Sequence, residues 1–259
     1  MKKTKRILSV VMAAILGLSL FAGCSGSKSG DSLDTVQSGK LVMATNAAFP
    51  PYEYVEGSDY MGIDVEIAGE IAKKLGLELV IEDVDFDSII AGVQSGKYDM
   101  GMAGMTVTDE RKQSVNFSDT YAKGIQSIIV SEGSSIASVD DLSSDTSIGV
   151  QQGTTGDIYA SGDYGEDAIT RFKTGTDAVQ ALTTGKIDCV IIDNEPAKAY
   201  VAANEGLKVL ETTYVEEEYA ICTAKEKEKL LEAINKALEE LKSDGTVDSI
   251  VGKYIPTEG

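Results

Sequence analysis

Apolar, strand-like runs alternate with amphipathic helical segments along the body of this 259-residue chain, and the alternation occurs twice. The clearest helical pattern places Ile63, Ile67 and Ile71 on one face, the spacing of a helix that packs one side against a sheet. Strands that are each followed by a helix predict mostly parallel sheets flanked by helices, an α/β fold. The first half is predicted to have strands at 41–45, 79–81 and 98–103 with helices at 63–75 and 88–94, and the second half strands at 147–150, 169–172 and 187–192 with helices at 154–160 and 178–184.

The repeated order predicts two lobes. Segments 91–99 and 180–188 share a helix end, a Gly-Lys pair and an aspartate before the next strand, which favours a duplication. Two crossings of the chain, near 122–125 and 215–219, would join the lobes as a hinge. After the second half, the sequence predicts strands at 207–210 and 219–223 on either side of the acidic stretch 216–218, then a long helix at 225–242 and a last short helix. One lobe is predicted to contain residues 40–122 and 216–259, and the other residues 123–215.

Residues 104–111, at the end of the third predicted strand, have the composition of an anion site. Thr108 is a predicted N-cap, with Asp109 and Glu110 in the first helical turn. Free backbone amides, hydroxyls and the Arg111 guanidinium at the carboxyl end of a parallel strand suit one small anionic group, most simply a carboxylate. The alternative is a capped helix whose arginine pairs with a neighbouring acid.

The corresponding strand of the second half ends in a carboxylate, Asp193. Ligands of open α/β sheets bind outside the carboxyl ends of the strands. One half therefore offers Arg111 and the other offers Asp193. If these strand ends face each other across a cleft, the ligand that fits carries a negative and a positive charge, as a free amino acid does.

The N-terminus predicts export to the outside of the cell membrane. Basic residues precede an apolar stretch at 7–20 that is short for a membrane span, and this stretch runs into Phe21-Ala22-Gly23-Cys24. That sequence resembles a bacterial lipoprotein signal, in which the cysteine is lipidated after cleavage. We expect a signal peptide at 1–23 and a lipid-anchored, flexible tether at 24–39. The alternative is an ordinary cleaved signal followed by an incidental cysteine.

Composition narrows the possible partners and chemistry. The chain has 42 acidic and 23 basic residues and a net charge of −19, which argues against binding nucleic acid. It has no histidine, the usual general base and commonest zinc ligand, and no nucleotide-binding glycine motif, so no metal or cofactor is predicted. Cys189 and Cys222 lie in apolar, strand-like segments and are either buried free thiols or a disulfide pair.

Four motifs occur in a fixed order: A-T-N-A-A-F-P-P-Y at 44–52, G-I-D-V-E-I-A-G-E-I-A at 62–72, T-V-T-D-E-R at 106–111 and F-S-D-T-Y at 117–121. With these motifs the chain, from about 40 to 254, resembles the polar amino-acid-binding proteins of bacterial ABC importers, the extracellular solute-binding family 3. The resemblance implies a two-lobe, periplasmic-binding-protein-like (type II) fold with a two-segment hinge. It also implies a free L-amino acid as ligand and a membrane permease as partner. We expect a monomer.

The resemblance implies roles for individual residues. Arg111, helped by Thr106 and the backbone amide of Thr155, would bind the α-carboxylate of the ligand. Asp193 and the carbonyl of Gly104 would bind its α-ammonium group. The full set of implied ligand-binding residues is Asn46, Phe49, Phe86, Gly104, Thr106, Arg111, Gln151, Thr155 and Asp193.

The ligand's side chain is less constrained. Phe49 and Phe86 would flank it, although ordinary core packing is an alternative for both rings. Many relatives that bind basic side chains or glutamine carry Asp at the position of Asn46, and an amide there, like Gln151, favours a neutral polar side chain. Asp87 and Glu53 leave a basic side chain open, while glutamate and aspartate are disfavoured.

Two other functions are compatible with the same fold. One is a cleft enzyme, because the family resembles a cyclohexadienyl dehydratase branch, for which Glu53 and Asp87 are the candidate acid and base. The other is a receptor domain that binds a ligand and signals. We expect a binding protein without enzymatic activity.

Overall fold

The computed structural model describes residues 33–210 and 214–255. The predicted signal peptide at 1–23 and the predicted lipidation site at Cys24 lie outside the described residues, as does most of the tether. Within the part of the chain that is described, no helix has both the length and the apolar composition needed to cross a membrane.

The first main sheet takes four strands from the N-terminal half and one from near the C-terminus. Its strands are β1 (Lys40–Thr45), β5 (Glu78–Asp83), β6 (Met100–Gly101), β7 (Val115–Phe117) and β14 (Cys222–Ala224), in the spatial order β5-β1-β6-β14-β7. β1 is parallel to β5 and β6, whereas β14 is antiparallel to both of its neighbours. A separate antiparallel sheet contains β2 (Ala48–Phe49), β3 (Glu53–Glu56) and β4 (Asp59–Met61). Because β14 is the one described strand of the main sheet that runs in the opposite direction, the sheet is mostly parallel, as predicted.

The second main sheet repeats this plan. Its strands are β8 (Ala122–Ser131), β9 (Ile148–Gln151), β10 (Ile169–Phe172), β11 (Cys189–Asp193), β12 (Leu207–Val209) and β13 (Val215–Tyr219). The spatial order is β10-β9-β11-β8-β12, and β13 also pairs with β8. β9, β10 and β11 are parallel, and β8 is antiparallel to each strand that it contacts. We call the parts of the chain built on the first and second sheets lobe 1 and lobe 2.

Helices cover the faces of both sheets. The predicted apolar face of the first helix is fully buried, since Ile63, Ile67 and Ile71 are each 0% exposed. The helices are α1 (Ile63–Leu75), α2 (Phe86–Gln94), α3 (Arg111–Ser114), α4 (Thr155–Tyr164), α5 (Gly175–Thr183), α6 (Asn194–Ala203), α7 (Glu228–Ser243) and α8 (Thr246–Tyr254), with short 3-10 helices at Val139–Asp141 and Glu166–Ala168. The predicted bounds of α1 and β10 are confirmed.

Some predicted elements are wrong in extent. The strand predicted at 98–103 is reduced to the two residues of β6. The acidic stretch 216–218, predicted to separate two strands, lies inside β13. Because residues 216–218 are all glutamates, hydrophobicity does not reveal the strand alternation, in which Glu217 is buried between two exposed glutamates. The strand predicted at 219–223 is divided between the end of β13 and the start of β14. The small sheet β2–β4, the strands β7 and β8 and helix α6 were not predicted.

The two lobes are joined by two adjacent passages of the chain, one from β7 into β8 and one from β13 into β14. The passages lie side by side because β13 pairs with the first half of β8, with Tyr219 opposite Ala122. This arrangement is the predicted two-segment hinge. The lobe bounds given above, 40–122 with 216–259 and 123–215, stay a prediction.

The core contains the two cysteines that the sequence left open. Cys189 in β11 and Cys222 in β14 belong to different sheets, and both are buried free thiols. Burial raises the pKa of each thiol to about 12, so neither is a reactive thiolate near neutral pH. The interpretation as structural thiols is confirmed over the disulfide alternative.

Candidate functional site

A cavity lies between the two lobes at the carboxyl ends of their strands. It contains side chains or backbone of all nine residues that the sequence predicted as ligand-binding. Three further residues line it that were not in that set. The lining consists of Asn46, Phe49, Glu53, Phe86, Ala103, Gly104, Thr106, Arg111, Gln151, Thr154, Thr155 and Asp193.

Arg111 reaches the cavity from the start of α3. The helix begins at Arg111 and not at Thr108, which corrects the predicted N-cap. The Thr108 hydroxyl still accepts a hydrogen bond from the Arg111 amide at 3.1 Å. The guanidinium donates to the carbonyl oxygens of Thr106, at 2.7 Å, and Gly153, at 3.0 Å, and lies 5.4 Å from the centre of the Phe86 ring. Its hydrogen-bond partners are thus carbonyls and not the acid of the alternative reading, and two of its five N–H groups are engaged in these bonds.

The electrostatic environment of Arg111 combines burial with acidic neighbours. The side chain is 7% exposed, and burial lowers the pKa of the guanidinium from its ordinary value, while Glu217 acts in the opposite direction. An arginine stays protonated under such a shift because its ordinary pKa is far above neutral. The site therefore has a buried cation next to the cavity, which favours an anionic ligand group.

The start of helix α4 lies beside this cation and lines the same cavity. Thr154 is the N-cap, and its hydroxyl accepts a hydrogen bond from the Asp157 amide at 3.3 Å. Thr155 is the first residue of the ten-residue helix, so its amide is among those without a partner inside the helix. The hydroxyls of Thr155 and Thr106 are 3.5 Å apart. Backbone amide, hydroxyls and guanidinium thus converge on one place, as an anion site requires.

Asp193 ends β11 and supplies the carboxylate of lobe 2. Its Oδ2 accepts a hydrogen bond from Gln126 Nε2 at 2.8 Å, and its Oδ1 accepts one from the Tyr219 hydroxyl. A Cβ at Gly124 would overlap that hydroxyl, so a glycine is required where the tyrosine ring crosses β8. Burial, followed by the charge of Glu217, raises the pKa of Asp193 to about 7. A buried carboxylate with a raised pKa is stabilised by a cation placed against it.

Gly104 connects the cavity to a buried acid beneath it. Its backbone has a φ of +52°, and a Cβ here would come within 2.8 Å of the Phe49 ring, so glycine admits the ring. The Gly104 amide donates to Asp64 Oδ2 at 2.9 Å, and the Tyr121 hydroxyl donates to the same oxygen at 2.7 Å. Asp64 lies in the first turn of α1 and thereby fixes the backbone at Gly104, and burial raises its pKa to about 6.

Asn46 and Gln151 form an amide pair that links the lobes. Gln151 Nε2 donates to Asn46 Oδ1 at 2.9 Å, and Asn46 Nδ2 donates to the carbonyl of Val84 at 2.8 Å. Both side chains are buried and line the cavity. The Gln151 Nε2, Asn46 Oδ1 and Asn46 Nδ2 atoms already have hydrogen-bond partners within the protein. The pair therefore defines the shape of the side-chain end of the cavity as well as offering hydrogen bonds to a ligand.

Two buried glutamates at the site are outside the sequence-predicted set of ligand-binding residues. Glu53 on β3 lines the cavity, is 1% exposed and was considered from the sequence as a charge for a basic side chain or as a catalytic residue. Its Oε2 has no hydrogen-bond partner among the described residues, and burial, with the charge of Asp64, raises its pKa well above the ordinary value. Glu217 on β13 is 6% exposed and accepts hydrogen bonds from Thr106 and Gln126. A strand alternation through 215–219 is the one signal that could have indicated Glu217.

Several contacts hold the two lobes together around the cavity. Gln152 Nε2 donates to Asp87 Oδ2 at 2.7 Å, and the Lys173 ammonium lies 2.9 Å from Asp85 Oδ2. The Tyr200 hydroxyl donates to a carbonyl of the small sheet. With the Arg111–Gly153 and Gln151–Asn46 bonds, these contacts define a closed arrangement of the lobes. Closure excludes water from the cavity and strengthens the electrostatic interactions inside it.

Two lobes that close on a cavity with one cationic and one anionic end define a ligand-binding protein of the periplasmic-binding-protein type. A family profile described as "Bacterial extracellular solute-binding proteins, family 3" matches residues 41–257, and the chain belongs to this family.

Comparison with individual proteins agrees with the family. The chain is 34% identical to the arginine-binding extracellular protein ArtP of Bacillus subtilis (strain 168), over 98% of this chain and 99% of the relative. Among solved structures, an ancestral arginine-binding protein bound to glutamine is 41% identical with a TM-score of 0.78, covering 85% of this chain and 99% of the other. The arginine-, lysine-, histidine-binding protein ArtJ of Geobacillus stearothermophilus is 36% identical with a TM-score of 0.81, covering 85% and 96%. The predicted fold is confirmed.

Proposed function

We propose that this protein binds a free polar L-amino acid between its lobes and is the extracytoplasmic substrate-binding component of an amino-acid ABC importer. The observation that carries the proposal is that Arg111 of lobe 1 and Asp193 of lobe 2 line one cavity. A zwitterion compensates both charges, whereas a ligand with one charge leaves the other buried and unpaired. The names of relatives, which include arginine-, histidine- and glutamine-binding proteins, support the same conclusion.

The α-carboxylate of the ligand binds at the cationic end. The guanidinium of Arg111 has N–H groups beyond those that bond Thr106 and Gly153, and a planar fork suits a carboxylate. The Thr155 amide completes the set of donors, while the Thr106 hydroxyl, which donates to Glu217, lies beside them. The dipole of helix α4 adds a favourable interaction, because the ligand's negative charge lies at the helix N-terminus.

The α-ammonium group binds at Asp193 and the carbonyl of Gly104. The Asp193 carboxylate already accepts bonds from Gln126 and Tyr219, which fix its orientation. A carboxylate has about four acceptor positions, so it can accept from the ammonium as well. The two protein bonds therefore preorganise Asp193 for the ligand without consuming it.

The ligand's side chain lies towards Phe49, Phe86 and the Asn46–Gln151 amide pair, which favours a neutral polar group. A basic side chain is the second candidate, because Glu53 contributes a carboxyl oxygen without a partner among the described residues. A guanidinium or ammonium group near Glu53 would stabilise its ionised form. Acidic side chains are disfavoured because the cavity lining contains one cation and two carboxyl groups.

The remaining parts of the proposal concern location and assembly. A lipid on Cys24 holds the protein at the outer face of the bacterial cell membrane, and a flexible tether connects this anchor to the two lobes. The protein is a monomer without enzymatic activity. It binds no nucleic acid and delivers its ligand to a membrane permease. Closure of the lobes on the ligand gives the liganded protein a shape distinct from that of the open one.

The proposal is tested by a thermal-shift screen of the purified protein against the common L-amino acids, followed by calorimetry. A ligand that binds the folded state raises the melting temperature, by an amount that grows with its concentration relative to the Kd. Arg111→Ala should abolish this shift and retain the circular dichroism spectrum. Lys112→Ala is the matched control, since it removes the neighbouring cation on α3, which pairs with exposed Asp109. A protein that binds no amino acid, or an Arg111→Ala variant that binds normally, would refute the proposal.

A further inference from the structure

One buried carboxylate outside the cavity lining touches both ends of the candidate site. Glu217 lies on β13, one of the two strands at the hinge, and is buried between exposed Glu216 and Glu218. Its Oε2 accepts a hydrogen bond from the Thr106 hydroxyl at 3.1 Å and from Gln126 Nε2 at 3.0 Å. The same Gln126 nitrogen donates to Asp193 Oδ2 at 2.8 Å. Glu217 is thus linked directly to Thr106, beside Arg111 at the cationic end of the cavity, and through Gln126 to Asp193 at its anionic end.

The backbone of β13 fixes this carboxylate at the junction of the lobes. Glu217 pairs with Gly124 of β8, and Tyr219 pairs with Ala122. On the other side, the Val107 amide donates to the carbonyl of Glu218 at 3.0 Å, which ties the loop that contains Thr106 to the same strand. Because backbone hydrogen bonds on both sides hold β13, the position of the Glu217 carboxylate depends on how the two lobes sit at the hinge.

We propose that Glu217 is a positioning residue of the ligand site: its carboxylate orients the Thr106 hydroxyl and the Gln126 amide, and its negative charge adds to that of Asp193. The inference rests on the proposed function, since it assigns Glu217 a role in binding the two charged groups of an amino acid. Thr106 donates its only hydroxyl hydrogen to Glu217, so on the ligand side its oxygen can only accept hydrogen bonds. The ligand's carboxylate therefore depends on Arg111 and the Thr155 amide as its hydrogen-bond donors.

The charge of Glu217 also determines how strongly Asp193 attracts a cation. Both carboxylates accept from one nitrogen, so their bonded oxygens are within about 6 Å of each other. A negative charge this close to Asp193 in a buried site raises the affinity of Asp193 for a positive charge, whether a proton or an ammonium group. The pKa of Asp193 is raised accordingly, first by burial and next by Glu217. The groups that face Asp193 from the surrounding elements are Arg111, Glu53, Tyr52, Gln126, Glu217 and Tyr219.

This arrangement predicts a pH dependence of ligand binding that Glu217 sets. An ammonium group binds the ionised form of Asp193, so in the wild type affinity should fall about tenfold for each pH unit below about 7. Glu217→Gln removes a charge and keeps the side-chain shape. With an interaction of this range at an effective dielectric constant near 20, the midpoint of the profile should move about one to two pH units lower.

The experiment is calorimetry of the purified protein with L-arginine and, separately, L-glutamine between pH 5 and 7.5. Glu217→Gln should show the shifted midpoint, Glu217→Asp should keep the wild-type midpoint, and Glu216→Gln, the exposed neighbour on the same strand, should match the wild type throughout. A loss of affinity in Glu217→Gln that is the same at every pH would overturn the proposal, because a merely structural role predicts that result.

A second measurement does not depend on any ligand. The carboxyl carbon of Asp193, observed by carbon NMR in the absence of amino acids, should titrate at lower pH in Glu217→Gln than in the wild type. An unchanged titration overturns the role of Glu217. If the wild type binds no amino acid, the proposed function fails while the NMR titration still reports whether Glu217 acts on Asp193, so the two failures are distinguishable.

Discussion

Replacing Asp193 by asparagine should weaken ligand binding and stabilise the ligand-free protein. The substitution keeps the size of a side chain that is 8% exposed and removes its charge. The Tyr219 hydroxyl can still donate to the remaining carbonyl oxygen. Alternatively, Gln126 keeps its orientation and donates to the remaining carbonyl oxygen, and the new NH₂ group donates to the Tyr219 hydroxyl, which can also accept. The fold should therefore tolerate Asp193→Asn.

The two effects have opposite signs and can be sized. The pKa of Asp193 is raised from 3.8 to about 7, so keeping this carboxylate ionised at pH 8 costs the folded state up to about 4 kcal/mol, which the amide avoids. A domain of this length gains about 2–4 °C in melting temperature per kcal/mol, so an increase of several degrees is expected. Removing one partner of a buried charge pair typically costs 2–5 kcal/mol of binding, which is roughly a 30- to 4,000-fold rise in Kd.

Calorimetry with L-arginine and L-glutamine at pH 8 gives the affinity, and thermal melts without ligand give the stability. Asp167→Asn is the charge-matched control, because Asp167 is an exposed aspartate of the same lobe. It should change neither quantity appreciably. A Kd for Asp193→Asn within threefold of the wild type, in a folded protein, would refute the assignment of the ammonium group to Asp193. A clear drop in stability would refute the reasoning about its buried charge.

Three other perturbations test separate parts of the site and its context. Glu53→Gln should weaken L-arginine binding tenfold or more and affect L-glutamine much less in parallel titrations, because only a basic side chain gains from an ionised partner. The ligand-free protein should lose stability in thermal melts as the pH rises from about 5 to 8, because burial raises the pKa of Asp64 to about 6 and of Asp193 to about 7. The folded state then holds protons that the unfolded chain has released. Cys24→Ser should move the protein from the detergent phase to the aqueous phase in phase partitioning, because the lipid is lost.

The two substitutions have matched controls, and each of the three predictions has a contrary outcome. Glu56 lies on the same strand as Glu53 but is exposed, so Glu56→Gln should leave both titrations unchanged. Equal losses for both ligands in Glu53→Gln would remove the argument for a basic side chain. Stability that rises with pH over the same interval would show that the buried acids are ionised in the folded state at low cost. Ser25→Ala is the control for lipidation, and a Cys24→Ser variant that still partitions with detergent would disprove the anchor.

The candidate site was predictable from sequence where residues follow parallel strands. Asn46 comes directly after β1, Gln151 ends β9 and Asp193 ends β11. Carboxyl ends of parallel strands lie at one edge of a sheet, so hydrophobic runs that end in polar residues locate the cleft without tertiary information. For this reason the nine residues predicted from the sequence all line one cavity, and their role in ligand binding stays a proposal.

The same reasoning could not place Glu217 or Glu53 in the ligand-binding set. Glu217 enters the site from β13, whose pairing with β8 depends on a register between strands far apart in the chain. A slip of one residue would bury Glu216 or Glu218 in its place, and among three successive glutamates only the flanking Val215 and Tyr219 indicate the middle one. Glu53 comes from a small hairpin sheet too short for a periodic signal. Burial of a carboxyl group is a property of tertiary packing, which local composition does not report.

The balance of charge around the cavity connects these missed residues to the proposed ligand. One guanidinium, Arg111, is buried near four carboxyl groups: Asp193, Glu217, Glu53 and Asp64. Such an excess of buried acid is costly unless protons or cations neutralise it, and burial raises the pKa of three of the four. A ligand that brings an ammonium group replaces a proton on Asp193 and leaves Arg111 for its carboxylate. A basic side chain would replace a second proton, so the number of protons released on binding distinguishes a neutral from a basic amino acid.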